Sequence, residues 1–407
     1  MTQQSIKSAS AGNRGTGVRS DCFISFELKD KGGIDLKLQS KVKVLFGKDI
    51  EKLLLDILSH YGIKNAMVAV EDSGALPLVL AARMEAAIRK VIESDKEYLL
   101  PSIEENTDIT SKERDRFSRL YLPGNSPHLF LNAGIHKPNG IILDLEDAVA
   151  PGKKYEASFL VRNALRGVNF YSAERMVRIN QLPKGLDDLE FIVPHHVNLI
   201  LLPKCESPEE IITLNIKIDQ LRKASGIKHD IWLMPIIESA KGVVNVYEIA
   251  AAADNVAALA IGLEDYTADI GTRRTEEGTE SFFARSKLVI AAKAESIQAI
   301  DSVYSDVADM EGLKQTVLRS KALGFNGMGC IHPRQISVIH ENYAPDEQDI
   351  IKAKKIFIAF MEAEEKGLGV VSLGTKMIDP PVVKRAQRTI DLAIATGKLA
   401  KNWREEA

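Results

Sequence analysis

The sequence predicts an α/β protein built on a (β/α)8 TIM barrel, with a small N-terminal α+β domain and a C-terminal helical lid. From Ser118 onward, short apolar segments alternate with helical patterns, which is typical of repeated βα units. The 407 residues exceed the roughly 250 residues of a barrel. Eight strands are expected, at Arg119–Leu122, Gly140–Leu145, Met176–Asn180, Val197–Leu202, Ile231–Ile237, Val256–Gly262, Ile297–Val303 and Gly327–Ile331. A doubly wound open sheet is the alternative, but no Gly-x-Gly-x-x-Gly motif follows the first of these strands.

The regions outside the barrel are predicted from composition and periodicity. Residues 1–17 are polar and rich in glycine and serine, so we expect a disordered tail. Residues 18–95 combine strands of period two with two helical patterns and form the small domain. Residues 96–115 are charged and form a linker, and residues 116–345 form the barrel. Residues 346–407 form the lid, with helices at Glu347–Glu365 and Pro381–Thr396.

The overall composition narrows the classes of function. A net charge of −3 gives no reason to expect a nucleic-acid or membrane partner. No N-terminal apolar segment suggests a secretory signal, and no apolar run is long enough to span a bilayer. The three cysteines, Cys22, Cys205 and Cys330, lack metal-binding spacing. We therefore expect a reduced, cytoplasmic setting.

Most of the predicted barrel strands end in polar residues. These ends carry Asp144-Leu-Glu146-Asp147, Arg178-Ile-Asn180, Lys204, Glu238, Glu264-Asp265 and His332. Any one of them is compatible with a helix cap or a solvated loop. In a parallel barrel, however, all the carboxyl ends of the strands meet at one face, so we expect a single charged site.

The residue types at these ends favour metal-assisted chemistry. Glu238 and Asp265 offer oxygen ligands to Mg²⁺, and Glu146 and Asp147 are candidates to reach the ion through water. Arg178 supplies a planar cation for a carboxylate or a thioester enolate oxygen. Together they suit a substrate that carries a carboxylate next to a hydroxyl or carbonyl group.

Several motifs in order along residues 117–400 resemble the citrate lyase β-subunit-like family of acyl-CoA lyases in the HpcH/HpaI aldolase superfamily. This family includes malyl-CoA and citramalyl-CoA lyases. The motifs include Leu120-Tyr-Leu-Pro-Gly-Asn125, Ile142-Leu-Asp-Leu-Glu-Asp-Ala-Val149, Val177-Arg-Ile-Asn180, Leu202-Pro-Lys204, Met234-Pro-Ile-Ile-Glu-Ser-Ala240, Gly262-Leu-Glu-Asp-Tyr-Thr-Ala-Asp-Ile-Gly271, Phe282-Phe-Ala-Arg-Ser286, Ile331-His-Pro-Arg-Gln-Ile336 and Met377-Ile-Asp379. One departure is Phe117-Ser118, where Arg-Ser is common, so that Arg116 or Arg119 could substitute.

The resemblance implies roles for individual residues. It implies that Glu238 and Asp265 ligate Mg²⁺ and that Arg178 binds substrate. Independently of the resemblance, Glu146 and Lys204 are candidate substrate contacts. Lys204 is expected to contact a phosphate or Glu238, with an ordinary ion pair at the mouth of the barrel as the alternative. It also implies that Asp379, on the lid, completes the site of a neighbouring subunit and moves the proton at the acetyl carbon. The alternative for Asp379 is a cap for the helix that opens at Pro380-Pro381.

The N-terminal region is similar to the acyl carrier (γ) subunit of citrate lyase over residues 15–93. In that subunit a serine within Glu-Ser-Ser-Asp carries a CoA-like prosthetic arm. Here the run is Val18-Arg19-Ser20-Asp21, so the modified serine aligns with Arg19 and Ser20 is the candidate attachment site. A domain used for docking, assembly or holding CoA is the alternative.

The resemblance and the strand ends together predict a Mg²⁺-dependent carbon–carbon lyase. Its substrate would be a 3-hydroxy-3-carboxyl acyl-CoA such as citramalyl-CoA or malyl-CoA, and its products a 2-oxo acid and an acyl-CoA. Asp147 would accept the hydroxyl proton. The alternatives are a citrate lyase-type subunit that acts on carrier-bound citryl thioester and a non-catalytic CoA-binding subunit. A lid that acts in trans requires an oligomer, and the family suggests a trimer or hexamer.

Overall fold

The computed structural model describes residues 7–365, 371–373 and 376–404. Its N-terminal domain is a four-stranded sheet in the order β1-β2-β4-β3, with two helices. The elements are β1 (Ser8–Gly12), β2 (Cys22–Leu28), β3 (Ile34–Ser40), α1 (Lys43–His60), β4 (Ala66–Asp72) and α2 (Pro77–Arg89). The expected α+β domain is therefore present.

The prediction of a disordered tail over residues 1–17 is wrong for β1, and residues 1–6 lie outside the described residues. β1 pairs antiparallel with β2, from Ser8 opposite Glu27 to Gly12 opposite Phe23. Its five residues alternate serine with alanine, but all are small and of low strand propensity, so the local sequence carries only a weak strand signal. The backbone hydrogen bonds of the neighbouring strand provide the order instead.

Eight parallel strands close into the predicted barrel, in the order β10-β11-β12-β5-β6-β7-β8-β9. They are β5 (Ser118–Pro123), β6 (Gly140–Asp144), β7 (Glu174–Arg178), β8 (Leu199–Leu202), β9 (Trp232–Ile237), β10 (Ala258–Ile261), β11 (Gln298–Asp301) and β12 (Gly327–Cys330). All eight strand predictions are confirmed, with ends that shift by up to two residues. The barrel interior is packed with apolar side chains such as Ile142, Met176, Leu201 and Ile236.

Helices surround the barrel and connect its strands. They are α3 (Pro127–Phe130), α4 (Lys154–Gly167), α5 (Gly185–Ile192), α6 (Pro208–Ser225), α7 (Ala240–Val244), α8 (Val246–Ala250), α9 (Leu263–Asp269), α10 (Phe282–Ala294), α11 (Met310–Leu323) and α12 (Arg334–Tyr343). In each βα unit the chain leaves the carboxyl end of a strand, at the face that we call the mouth, and returns to the opposite end, the base.

The segment at 96–115 is not a free linker. It contains one 3-10 turn, Glu104–Thr107, and packs on the barrel. The buried Asn106 side chain donates to the carbonyls of Leu165 and Val168, each at 2.8 Å. Trp232 Nε1, at the start of β9, donates to the Thr110 carbonyl at 2.7 Å. The segment therefore covers part of the base of the barrel.

Helix α2 joins the two domains. Its residues from Leu78 to Ile88 are all buried, because one side packs on the N-terminal sheet and the other on α4. Charged side chains cross this boundary: Arg162 of α4 pairs with Glu85, and Arg83 lies 3.7 Å from Glu156. The N-terminal domain is thus docked on the flank of the barrel through buried ion pairs.

The C-terminal extension is a helical hairpin of α13 (Glu347–Glu365) and α14 (Pro380–Ala395), joined through β13 (Val371–Leu373) and β14 (Lys376–Ile378). Both helices confirm the predicted extension. Phe357, Ile390 and Trp403 form a small core of their own. Arg388 of α14 lines a cavity with Lys293, near the end of α10, so the hairpin packs against the base. Within the described ranges, none of the helices is long and apolar enough to cross a membrane.

Candidate active site

A cavity of about 240 Å³ opens at the mouth of the barrel. Its lining includes Arg178, Glu238 and Asp265, three of the residues that the sequence predicts for the site. They come from the ends of β7 and β9 and from the first turn of α9. The predicted convergence of strand ends is therefore seen in the structure.

Arg178 is held in a fixed position by two carboxylates. Its Nε and Nη2 donate to Oδ1 and Oδ2 of Asp144 at 2.7 and 2.6 Å, because strand register places the two residues side by side. Nη1 lies 2.9 Å from Oε2 of Glu146. The guanidinium carbon lies 5.3 Å from the centre of the Tyr121 ring. Although burial opposes the charge, the paired carboxylates hold the pKa of Arg178 above its ordinary value.

Asp144 is the residue that sequence reasoning left without a role. It is buried, and it also accepts backbone N–H groups of Glu146 and Ala148, at 2.9 and 3.2 Å. Asp144 thus orders both the arginine and the loop that follows β6. The sequence feature that could have revealed its role is its position as the first acid of the motif Asp-Leu-Glu-Asp at the end of β6.

Glu146 is buried among charged groups. Besides Arg178, it accepts a hydrogen bond from Gln181 Nε2 at 3.1 Å, and Lys204 Nζ lies 4.0 Å away. Burial and the nearby acids raise the pKa of Glu146, whereas Arg178 lowers it. Its observed contacts are with protein side chains, and its predicted contact with substrate stays a prediction.

Glu238 is a buried carboxylate with little compensation for its charge. Its side chain accepts the backbone N–H of Lys204 at 2.7 Å. A side chain at Gly262 would bring a Cβ to 2.3 Å from Glu238 Oε2, so a larger residue there would displace the Glu238 carboxylate. Burial above all, and then the charges of Asp265 and Glu146, raise the pKa of Glu238 to about 8. No cationic side chain in the described ranges lies within 4.0 Å of it.

Lys204 links the two predicted metal ligands. Its backbone has a φ of 50°, in the left-handed region, and in this conformation its N–H faces Glu238. Its ammonium group lies 3.2 Å from Asp265 Oδ1, on a carboxylate that is half exposed. The predicted contact with Glu238 therefore occurs through the backbone, and the side chain pairs with Asp265.

The two carboxylates fit a hard cation. Across the part of the chain that the structure describes, no three His, Cys, Asp or Glu residues form a closed metal cluster. Mg²⁺ is commonly held by one or two carboxylates and completes its octahedron with water and substrate oxygens. Glu238 has a buried charge without a cation, and Asp265 lines the same cavity. This donor set suits Mg²⁺ with open positions.

The other predicted catalytic acids lie elsewhere. Asp147 is exposed, and its charge acts on both Lys204 and Glu146, so it lies near the mouth. Asp379 caps α14 by accepting the backbone N–H of Val382 at 3.2 Å, as the capping alternative predicts. Its hairpin packs at the base, so in the described residues Asp379 does not meet the cavity of its own chain. Its action in a neighbouring subunit stays a prediction.

Ser20 lies in the loop between β1 and β2. It is half-buried, has a φ of 53°, and donates its backbone N–H to the Ser73 carbonyl at 3.1 Å. The adjacent Asp21 accepts hydrogen bonds from Arg83 and Asn13, and both of these side chains also reach the carbonyl of Asn125. Asn125 follows β5 at the mouth. The loop that carries Ser20 is thus attached to the mouth side of the barrel.

The two arginines proposed as substitutes, one just before β5 and one within it, lie at different depths. Arg116 pairs with Glu174 at 2.7 Å, at the base of the barrel. Arg119 points into the barrel and lines the cavity with Arg178. Sequence reasoning did not separate them, because the direction of a side chain depends on strand register.

Comparisons with known proteins agree with this architecture. A family model described as HpcH/HpaI aldolase/citrate lyase matches residues 118–333, and an acyl-carrier model described as malonate decarboxylase delta subunit (MdcD) matches residues 7–91. Citrate lyase subunit beta of Haemophilus influenzae is 39% identical over 281 residues, which cover 68% of this chain and 97% of that protein. Human mitochondrial citramalyl-CoA lyase is 34% identical over 286 residues, which cover 67% of this chain and 84% of that protein.

A solved structure is similar as well. Protein CitE of Mycobacterium tuberculosis, in complex with magnesium, acetoacetate and coenzyme A, has a TM-score of 0.57 and 28% identity. The match covers 70% of this chain and 99% of CitE. The predicted resemblance is confirmed for both parts of the chain. The chain therefore belongs to the HpcH/HpaI aldolase/citrate lyase family and is a lyase.

Proposed function

We propose that this chain is a Mg²⁺-dependent carbon–carbon lyase. Its substrate is a 3-hydroxy-3-carboxyl acyl thioester, of the citramalyl-CoA or malyl-CoA type, and its products are a 2-oxo acid and an acyl-CoA. The observation that carries the proposal is the buried, uncompensated Glu238 carboxylate in the cavity that also contains a fixed Arg178. The names of the relatives and the ligands of CitE support the same chemistry.

Glu238 and Asp265 would hold Mg²⁺ at the mouth. When bound, the cation supplies Lewis-acid stabilisation for the oxygens of the 2-oxo acid. Arg178 binds the carboxylate at C3 of the substrate, because Asp144 fixes the guanidinium plane in advance. Preorganisation of this kind lowers the cost of ordering the substrate at the moment of reaction.

Two proton transfers complete the reaction. Asp147 accepts the proton of the C3 hydroxyl as that oxygen becomes the carbonyl of the 2-oxo acid. The bond between C2 and C3 breaks, and its electron pair moves into the thioester as an enolate. Asp379 of a neighbouring subunit then protonates C2 to give the acyl-CoA. This role requires at least a dimer, and we propose a trimer or hexamer.

The proposal is tested by incubating the protein with Mg²⁺ and citramalyl-, malyl- or methylmalyl-CoA and measuring the released 2-oxo acid. We expect cleavage that EDTA stops, and loss of cleavage in Glu238→Ala and Asp265→Asn. Glu264→Gln is the matched control, because its exposed carboxylate pairs with Arg274 at 3.0 Å. The proposal is refuted if Glu238→Ala keeps full activity, or if the wild-type protein binds metal and acyl-CoA but does not cleave the thioester.

A second candidate function is a citrate lyase-type reaction on a thioester carried by the chain itself. The observation that favours it is the attachment of the Ser20 loop beside Asn125 at the mouth. The intact mass of protein from its native host is then expected to exceed the sequence mass, and Ser20→Ala removes the difference. An unmodified mass contradicts this candidate and leaves the CoA-ester lyase in place.

A further inference from the structure

A cleft of about 720 Å³ lies between the C-terminal hairpin and the base of the barrel. One wall is α14 of the hairpin, and the other is formed by the ends of α10, α11 and α12 and by the residues just before β5 and β12. Leu392 of α14, which lines the cleft, packs on the main apolar core. The cleft shares no lining residue with the cavity that contains Glu238, so it is separate from the candidate active site.

Cationic side chains line both walls of this cleft. Lys293, near the end of α10, is half-buried on the barrel side, and Arg385 and Arg388 lie one turn apart on the exposed side of α14. Lys293 donates to the side-chain oxygen of Asn326, which is a neutral acceptor. Within the described ranges, no carboxylate lies within 4.0 Å of these three cations. Their charges therefore lack ion pairs in this part of the structure.

Three further charged residues line the cleft without changing this balance. The Lys321 ammonium group donates to the carbonyl oxygens of Asn342 and Ala344, at 3.2 and 3.0 Å, where α12 ends. Asp115 and Asp391 are both exposed to solvent. The lining as a whole carries four cationic side chains against two acidic ones, so the cleft has an excess of positive charge.

Positive charges that face each other across this joint oppose its closure. Burial and the charge of Arg388 lower the pKa of Lys293 to about 8, and no acid of the described residues opposes this shift. The hairpin and the base thus meet with positive charge on both sides. An anion between the two walls is attracted by both of them, so its binding converts a repulsion into a bridge.

The size and the lining of the cleft favour an anion with an organic body. Small-molecule sites commonly have volumes of about 300 to 1,000 Å³ and combine apolar walls with a few charged or polar groups. Here Phe117, Val289 and Leu392 provide the apolar wall beside the cations. A phosphate monoester carries nearly two negative charges and three acceptor oxygens, which match three cations better than the single charge of a carboxylate does.

We propose that this cleft is a binding site for an organic phosphate monoester. Lys293 contacts the phosphate from the barrel, and Arg385 and Arg388 contact it from α14. The organic part lies on the apolar wall around Val289 and Leu392. Because its contacts come from both sides, the bound ligand holds α14 against the base of the barrel.

Calorimetry with AMP tests the site, because AMP joins a phosphate monoester to a flat ring system. Adenosine and inorganic phosphate provide the two parts separately, and each should bind more weakly than AMP to the full-length wild-type protein. Arg388→Gln should weaken AMP binding by about 10- to 150-fold, since hydrogen bonds to a charged group are removed. Lys384→Gln is the matched control and should bind AMP as the wild type does, because Lys384 is an exposed cation of α14 outside the lining of the cleft.

Amide hydrogen exchange locates the bound nucleotide. AMP should slow exchange in α14 and at the end of α10, because the ligand joins these two elements. Protection confined to the mouth of the barrel would overturn the proposal, since it would place the nucleotide in the other cavity. A wild-type protein that binds neither AMP nor inorganic phosphate would also overturn it, as would inorganic phosphate or adenosine that binds as tightly as AMP.

Thermal unfolding compares the ligand-free and the bound protein. In buffer without phosphate, Arg388→Gln should unfold at the same temperature as the wild type or a higher one, because it removes a repulsion across the joint. With AMP in excess, the midpoint of the wild type should rise and that of Arg388→Gln should not. A lower midpoint of ligand-free Arg388→Gln, or equal AMP affinity in Arg388→Gln and Lys384→Gln, would contradict the proposal. These measurements need no thioester, so their outcome is independent of the lyase function.

Discussion

Substituting Asp144→Asn tests whether the fixed position of Arg178 is required for activity. The substitution keeps the size of the side chain and removes its charge. In the structure, Asp144 accepts two hydrogen bonds from the Arg178 guanidinium, at 2.7 and 2.6 Å. Asparagine retains one acceptor oxygen, and its amide N–H₂ faces the second donor of the arginine. Arg178 would then depend on Glu146 for its remaining ion pair.

The expected effects follow from this geometry. Asp144 is buried, and breaking a buried ion pair costs about 3 to 5 kcal/mol, so we expect a loss near the lower limit. A displacement of Arg178 by about 1 Å is enough to lower kcat/KM by about 100-fold, because the substrate carboxylate is no longer held in line for cleavage. Both the stability and the activity of the variant should therefore decrease.

Glu174→Gln provides the matched control. Glu174 accepts two hydrogen bonds from Arg116, at 2.7 and 2.8 Å, and is fully buried at the base of the same barrel. We expect a similar loss of stability in denaturant unfolding and near-normal kcat/KM at a temperature where both variants are folded. The reasoning is refuted if Asp144→Asn keeps wild-type kcat/KM, or if both variants lose activity to the same degree.

Three further predictions concern the metal site, the docked domain and the lid. With a pKa of about 8, Glu238 is largely protonated at pH 6 and half ionised at pH 8. Calorimetry should therefore show that Mg²⁺ binds about 50-fold more tightly at pH 8 than at pH 6, and an affinity independent of pH would contradict this. Asp21→Asn leaves Arg83 poorly paired, so denaturant unfolding should show a free energy of unfolding lower by about 3 kcal/mol. Unchanged stability would count against the buried pair. Mixing inactive Asp265→Asn with inactive Asp379→Asn subunits should restore up to about a quarter of wild-type activity if the lid acts in trans; no recovery would argue against it.

The barrel was predictable because its signals are local. Each strand is a short apolar segment, and polar residues such as Glu238 and Asp265 follow at the point where the strand ends. Parallel strands bring these ends to one face regardless of the details of packing. Arg178, Glu238 and Asp265 could therefore be assigned to one cavity from the sequence.

The remaining features depend on contacts between distant segments. The pairing of Asp144 with Arg178 follows from the register of β6 against β7, which neither segment encodes alone. The contact of Arg119 Nη1 with the sulfur of Met234 joins β5 to β9, and it could be recognised only once the neighbours across the barrel were known. The strand β1 is ordered by its partner β2, because its own alternation of serine and alanine offers little apolar surface.

The docked N-terminal domain has a consequence for how the protein behaves on dilution. Glu85 and Arg162 form a buried pair across the boundary, and α2 covers α4 with apolar side chains. Because both parts belong to one chain, their association is intramolecular, and short connections give effective concentrations in the millimolar range. Every barrel therefore carries one such domain at fixed stoichiometry. A step that needs both parts of one chain keeps the same rate per molecule however far the protein is diluted.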